Sequence, residues 1–346
     1  ILCIAGHVHW NDVNLIDGIP YITVQSLSES FTTEGEAAGA WASIEIDHEI
    51  RWRTHGQDPI SLTVPVRGLN ARWVQPLPSF EERMRQQSIP DGLDNIAGLI
   101  LDMDGVLYRG DTAIPGVGEA MGKLQNAGMD MVALTNNARA SAQDYSTKLA
   151  DMGIHLGAER IITAGQAMAQ YLATQSQTPT VFVAGSPALQ REIEAIGAVC
   201  SERPDFVVAG IDLEMPLSVL AVAVGHLHRG AKLVATNPDN MLPVGQGVEP
   251  EAGAVVAFLQ AASGQTAYIV GKPNPAIFTL ALARLGLPTD AVAMVGDTAE
   301  TDIAGATLAG LRSIQVASGN TANAASPHQP TAHVADLPTL ADLLLG

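Results

Sequence analysis

The stretch "LILDMDGVLYRG", Leu99–Gly110, decides how the chain is read. An apolar run, "AGLIL", ends in Asp102; Asp104 follows one residue later, and Gly105 follows at once. The run reads as a buried strand that surfaces at Asp102. Residues i and i+2 of an extended chain project to the same side, so Asp102 and Asp104 can face one small volume. Two carboxylates that close repel, which raises one pKa unless a cation intervenes. The pair suits divided labour, with one ionised nucleophile and one acid/base. A calcium loop is the alternative, but it needs oxygen ligands at alternate positions and a distal glutamate. Here Val106, Leu107 and Tyr108 follow instead.

From Ala97 onward, apolar runs of strand length alternate with Ala/Leu-rich segments of helical period. Examples are "MDMVALT", "TVFVAG", "DFVVAG", "AKLVAT", "AVAMVG" and "RSIQVA". That alternation predicts βαβ units and a parallel sheet covered on both faces, with sites at the carboxyl ends of strands. Three more strand ends carry polar residues. "VALTNNA" ends in Thr135, Asn136 and Asn137; the hydroxyl can bond a phosphoryl oxygen, and Asn137 can equally cap a helix. "YIVGKPNP" holds Lys272 between glycine and proline, where an ammonium can neutralise a transferring phosphoryl group. "AMVGDTAETDIAGA" supplies Asp297 and Asp302, which suit a hard-cation site, although Asp297 or Thr298 can also serve as an N-cap.

Composition limits the partners. Apolar residues make up 47% of the 346, and 18 basic stand against 36 acidic residues, a net charge of −18. That balance argues against nucleic acid and against an anionic membrane surface. An anionic substrate stays open if a metal and a lysine set the local field. No apolar run approaches the ~18 residues of a membrane span. Cys3 and Cys200 imply no disulfide framework, which fits a reducing, cytoplasmic setting. The chain opens on Ile1 in what reads as mid-domain sequence, so residues upstream are expected.

The motifs together resemble the haloacid dehalogenase superfamily of phosphatases. DxDGV at 102–106, Thr135, the GKP lysine Lys272 and GDxxxTD at 297–302 match its four motifs in order. "LDMDGVLYRGDTAIPG", "LTNNARAS", "ATNPDNMLP" and "GKPNP" are similar to its NagD-like, or 4-nitrophenylphosphatase, branch. The resemblance covers about Ala97 to Gly346. It implies an α/β fold: a Rossmannoid parallel sheet as core (96–165 and 263–346) with an inserted α/β cap of C2 type (166–262). Spacing agrees with the insertion. One helix and one strand fit between Asp104 and Thr135, whereas more than a hundred residues separate Thr135 from Lys272.

The resemblance further implies Mg²⁺-dependent hydrolysis of small phosphomonoesters through an aspartyl-phosphate. Asp102 is then the nucleophile and Asp104 the acid/base. Mg²⁺ is held by the Asp102 carboxylate, the Asp104 carbonyl, Asp297 and Asp302, and Thr135 and Lys272 hold the phosphoryl oxygens. Asn136, Asn137 and Asp239 are further candidates to touch substrate, a small phosphorylated metabolite. A homodimer through the cap is expected from the same branch. His226 and His228, in "VGHLHRG", read as packing or surface residues rather than a metal pair.

Residues 1–65 have a different texture, with short β-like runs and Trp10, Trp41 and Trp52. "LCIAGHVHWN" resembles the last motif of calcineurin-like metallophosphoesterases, with His7 and His9 as vestigial metal ligands. The earlier motifs of that family are absent, so a partial segment is expected, joined by a linker over 66–95. Two alternatives to a single phosphatase follow. One is a fragment of a bifunctional metallophosphoesterase–phosphatase fusion; the other is a non-catalytic phosphate-binding protein on the same fold.

Overall fold

The computed structural model describes residues 92–244, 247–319 and 327–346, and before them six strands. The chain divides into two units, 1–79 and 80–346, each taken by itself. In the first, β1 (Cys3–Val8), β2 (Asp12–Ile16) and β3 (Ile19–Gln25) form a sheet in the order β1-β3-β2, with β1 and β3 parallel. β4 (Trp41–Ile46), β5 (Glu49–His55) and β6 (Ser61–Pro65) form an antiparallel meander. His9, the side chain of His7 and most of the expected linker lie outside the described residues.

The second unit's first strand is β7 (Gly98–Asp102), which ends in the Asp102 of "LILDMDGVLYRG". The short strands β8 (Tyr108–Arg109) and β9 (Thr112–Ala113) pair as a flap. Next come α1 (Val117–Asn126), β10 (Asp130–Thr135), α2 (Ala142–Asp151), β11 (Ile161–Thr163) and α3 (Ala164–Gln175). A middle run holds β12 (Thr180–Ala184), α4 (Pro187–Ala195), β13 (Val199–Cys200), β14 (Phe206–Ala209), α5 (Leu217–His228) and β15 (Lys232–Ala235). β16 (Met241–Val244) and β17 (Gly247–Pro250) make a hairpin before α6 (Ala252–Ser263) and β18 (Tyr268–Ile269). The chain closes with α7 (Pro275–Leu285), β19 (Val292–Gly296), α8 (Ala304–Leu308), β20 (Arg312–Val316), β21 (Ala332–Val334) and α9 (Leu337–Leu345).

Two parallel sheets result, as the alternation of strands and helices predicts. The six-stranded sheet runs β11-β10-β7-β19-β20-β21, and the five-stranded sheet runs β13-β12-β14-β15-β18. β7 is buried along its whole length, and its side chains alternate between two apolar clusters. Leu99 and Leu101 enter one and Ile100 the other, so both faces are covered, as a parallel sheet requires. After β7 the chain builds β10 and β11 on one side, then returns to lay β19 on the other. That reversal is a switch point, and it opens a crevice at the carboxyl end of β7.

The second sheet extends past the boundary expected at residue 262. Tyr268 and Ile269 pair with Val234 and Ala235, so β18 is its edge strand. Lys272 therefore follows a strand of the five-stranded sheet, not one of the six-stranded sheet. The two sheets also share apolar packing. One cluster holds Ile100, Val132 and Leu134 together with Val181, Phe206, Val208 and Val234, and includes Met168 and Leu172 of α3. A separate cluster under α5 and α6 covers the other face of the second sheet.

Candidate active site

β7 delivers Asp102 to the crevice, and Gly105 lets the chain turn there. Gly105 has φ +84, and a Cβ on it would come within 2.5 Å of Asp297 Oδ2. A side chain is excluded by conformation and by space. After β19, a single turn of π-helix over Ala299–Ile303 brings Asp302 back to the strand end. Its backbone N–H donates to Thr298 O at 2.9 Å, and its Oδ2 accepts the Thr298 N–H at 3.1 Å. Asp297 Oδ1 accepts the Thr298 hydroxyl at 3.0 Å.

Asp102, Asp297 and Asp302 each place a carboxylate oxygen within 4.8 Å of the others. Lys272 donates from Nζ to Asp102 Oδ1 at 2.6 Å and to Asp302 Oδ1 at 2.7 Å. All four groups are buried. Three carboxylates against one ammonium leave the centre short of positive charge. Burial pushes Asp102 well above the usual carboxylate range, with Asp302 and Asp297 adding to the rise against the pull of Lys272. Burial works against the Lys272 ammonium, yet Asp102 and Asp302 outweigh it and hold that amine above its ordinary value. The deficit, the oxygen donors and the burial fit a hard divalent cation.

Asp104 is not among the three clustered carboxylates. It is half-buried, and burial raises its pKa against the opposing pull of Lys148 and the Gly110 and Gly105 backbone N–H groups. Lys148, on α2, donates to Gly110 O at 2.8 Å and sits 4.5 Å from the centroid of the Tyr108 ring. It thereby ties the β8–β9 flap, and with it the Asp104 loop, to α2. Sequence reading passed over Lys148, which looks like any last-turn helix lysine until the flap is seen beneath it.

Thr135 ends β10 and is buried. Its hydroxyl accepts the Asn137 N–H at 3.2 Å and is hydrogen-bonded to Tyr145. Asn137 Oδ1 accepts the Arg139 N–H at 2.8 Å, a turn-making role. Asn136 and Asp239, both expected at the substrate, are bonded to each other, Nδ2 to Oδ2, at 2.9 Å. Asn237, unexpected from the sequence, is fully buried and donates to Asn136 O at 2.8 Å. Arg139 pairs with Glu249 at 2.7 Å and Glu251 at 3.0 Å, joining the loop after β10 to the β17–α6 corner. A run of asparagines reads as a turn; only its burial marks it as a junction. His226 packs against Phe182, ring centroids 4.9 Å apart, and His228 bonds Ala262 O at 3.1 Å, so neither joins a metal cluster.

A haloacid dehalogenase-like hydrolase family model matches residues 99–199, and a second HAD-hydrolase-like model matches 269–342. A dihydroxyacetone phosphatase of Corynebacterium glutamicum is 32% identical over 247 residues, 70% of this chain and 90% of that protein. The crystal structure of a 4-nitrophenylphosphatase from Thermotoga maritima superposes with TM-score 0.69 at 34% identity, covering 72% of this chain and 98% of that one. A glycerol phosphate phosphatase of Mycobacterium tuberculosis, solved in complex with magnesium, gives TM-score 0.68 at 32% identity over 73% of this chain and 78% of that one. Neither family model extends to residues 1–65, where the metallophosphoesterase resemblance rested.

Proposed function

The chain belongs to the haloacid dehalogenase-like hydrolases and is a phosphatase, and from that premise we propose a Mg²⁺-dependent phosphomonoesterase that works through an aspartyl-phosphate. The observation that carries this reading is the buried meeting of Asp102, Asp297 and Asp302, with Lys272 Nζ bonded to Asp102 and Asp302. Asp102, Asp297 and Asp302, with the carbonyl of Asp104, would hold Mg²⁺. Bound there, the ion supplies the positive charge that the three carboxylates and an incoming phosphoryl group lack.

The residues divide the work as follows. A carboxylate oxygen of Asp102 forms a bond to phosphorus as the bond from phosphorus to the ester oxygen breaks. Asp104 passes its proton to the departing alkoxide, so the alcohol leaves neutral. Asp104, now ionised, takes a proton from water, whose oxygen attacks phosphorus and breaks the bond from phosphorus to the Asp102 oxygen, an acyl phosphate. Inorganic phosphate and the free Asp102 carboxylate result. Burial keeps Asp104 protonated more readily than a surface carboxylate, which suits its first task. Thr135, Asn137 and Lys272 hold the phosphoryl oxygens and neutralise them, the positioning and charge stabilisation that phosphoryl transfer chiefly needs.

Small metabolites are the proposed substrates. Relatives named for dihydroxyacetone and glycerol phosphate make those two compounds the first to try. The enzyme is proposed to be cytoplasmic, and no helix among the described residues is long and apolar enough to cross a membrane. A homodimer through the five-stranded region is proposed as well. Its support is α5, whose outward face exposes Leu217 by 67% and Val222 by 48%.

The deciding experiment is hydrolysis of 4-nitrophenyl phosphate with Mg²⁺ and with EDTA. Wild-type protein is expected to turn over only with Mg²⁺, and Asp102→Asn to lose turnover altogether. Near-normal activity in Asp102→Asn would remove the nucleophile from this reading.

A further inference from the structure

Resting on the reading above, we infer that Asn136 acts on the reaction through Lys272, as a positioning residue whose own orientation is reinforced by Asp239. Asn136 is buried at the mouth of β10, and Lys272 lies 136 positions further along the chain. The Asn136 amide pairs with both backbone polar groups of that lysine. Its Oδ1 accepts the Lys272 N–H at 2.7 Å, and its Nδ2 donates to Lys272 O at 3.2 Å. The other Nδ2 hydrogen goes to Asp239 Oδ2 at 2.9 Å. A primary amide has two N–H hydrogens. Both are committed, so none is left for a phosphoryl oxygen. This assigns Asn136 away from the substrate contact that its place beside Thr135 suggested.

The lysine needs such a partner. β18 ends at Ile269, and the backbone pairing beyond it stops with the Gly271 N–H on Thr236 O at 2.8 Å. Lys272 lies past that point with its N–H and C=O buried, where an unpaired group would be costly. Asn136 stands in for the missing strand and so fixes where the lysine's flexible stem begins. The aim of Nζ between Asp102 and Asp302 follows from that starting point. Gly271 makes the approach possible, because a Cβ there would come within 2.7 Å of Asn136 Oδ1.

Asp239 reinforces the way the Lys272 backbone makes the amide face. Turned over, Asn136 would set its oxygen against the Asp239 carboxylate and Lys272 O and its NH₂ against the Lys272 N–H, three repulsive pairs in place of three bonds. Asp239 is itself anchored, since its N–H donates to Asn237 Oδ1 at 3.0 Å. Asn237 Nδ2 in turn holds Asn136 O at 2.8 Å. The loop after β15 and the loop after β10 thus close on Lys272 as one network.

Steady-state kinetics with 4-nitrophenyl phosphate and crystal structures test this on Asn136→Ala and Asp239→Asn. Asn136→Ala is expected to lower kcat about 100-fold, the usual cost of about 1 Å of misplacement. KM should change less than about threefold, as when an interaction realised only in the transition state is lost. The crystal structure of that variant should show Nζ drawn away from Asp102 or Asp302. Asp239→Asn, which preserves side-chain volume, should lower kcat by about tenfold in the same pattern, since it weakens one hydrogen bond to a charged group. A raised KM with kcat preserved would make Asn136 a substrate contact and overturn the inference. So would a lost kcat with Lys272 Nζ unmoved. If Asn136→Ala does not fold, Asp239→Asn carries both readouts. If the wild type hydrolyses no phosphomonoester, the proposed function falls, and the position of Nζ in the variant crystals still decides this inference.

Discussion

Lys272 is the residue on which the centre's charge balance turns. Its ammonium is the one cation within hydrogen-bond reach of Asp102 and Asp302, among the described residues. Replacing Lys272 with Met keeps the stem and removes the charge. Two buried carboxylates then lose their partner, an arrangement that costs about 3–5 kcal/mol when a buried pair is broken from one side. Lys272→Met is therefore expected to lower the urea midpoint and to abolish phosphatase turnover together, with added Mg²⁺ restoring part of the stability and none of the turnover. A variant as stable as wild type without Mg²⁺ would show that the carboxylates do not depend on the lysine. Asp102, Thr135, Lys272 and Asp297 stand out in the sequence because each ends an apolar run or follows a glycine at such an end, and the structure brings Asp102, Lys272, Asp297 and Asp302 together while Asp104 lies apart from that cluster. Asn237, Lys148 and Arg139 were not. Their significance lies in partners distant along the chain, and residue type alone gives no sign of that.

Among the elements, β7 matters most to the six-stranded sheet. It pairs with β10 on one side and β19 on the other, and every residue in it is buried. Leu101, fully buried in the cluster beneath α1 and α9, is the adjacent side chain to Asp102. Leu101→Ala is expected to cost about 2–5 kcal/mol in urea unfolding, the range for large-to-small changes in a core. A cost well under 1 kcal/mol would mean that the site can collapse around the missing atoms. The strands and helices of this unit were readable from period alone, since near-continuous apolar runs announce a doubly covered parallel sheet. The assignment of "YIVGKP" to a sheet was not. Tyr268 and Ile269 look like any other short apolar run, and only pairing with Val234 and Ala235 puts them at the edge of the second sheet.

At the scale of the whole molecule, the exposed face of α5 bears on assembly. Leu217 and Val222 lie outward on a helix that holds no Asp, Glu, Lys or Arg. An amphipathic surface helix would carry polar residues there. Val222→Glu is expected to convert a dimer to a monomer in sedimentation equilibrium while sparing phosphatase activity per chain; a wild type already monomeric at micromolar concentration would refute the dimer. The order of strands across the six-stranded sheet has another consequence, for synthesis. As the chain leaves the ribosome, β7 can pair with β10 soon after it appears, but its other edge waits for β19, with the entire second sheet translated in between. An unpaired apolar edge invites wrong pairing with other chains. Nascent chains ending before Val292 should therefore be protease-sensitive and dependent on chaperones, and resistance should arrive only once β19 through β21 have emerged. The same detour that carries Lys272 round to meet Asp102 postpones the moment at which the protein is safe from aggregation.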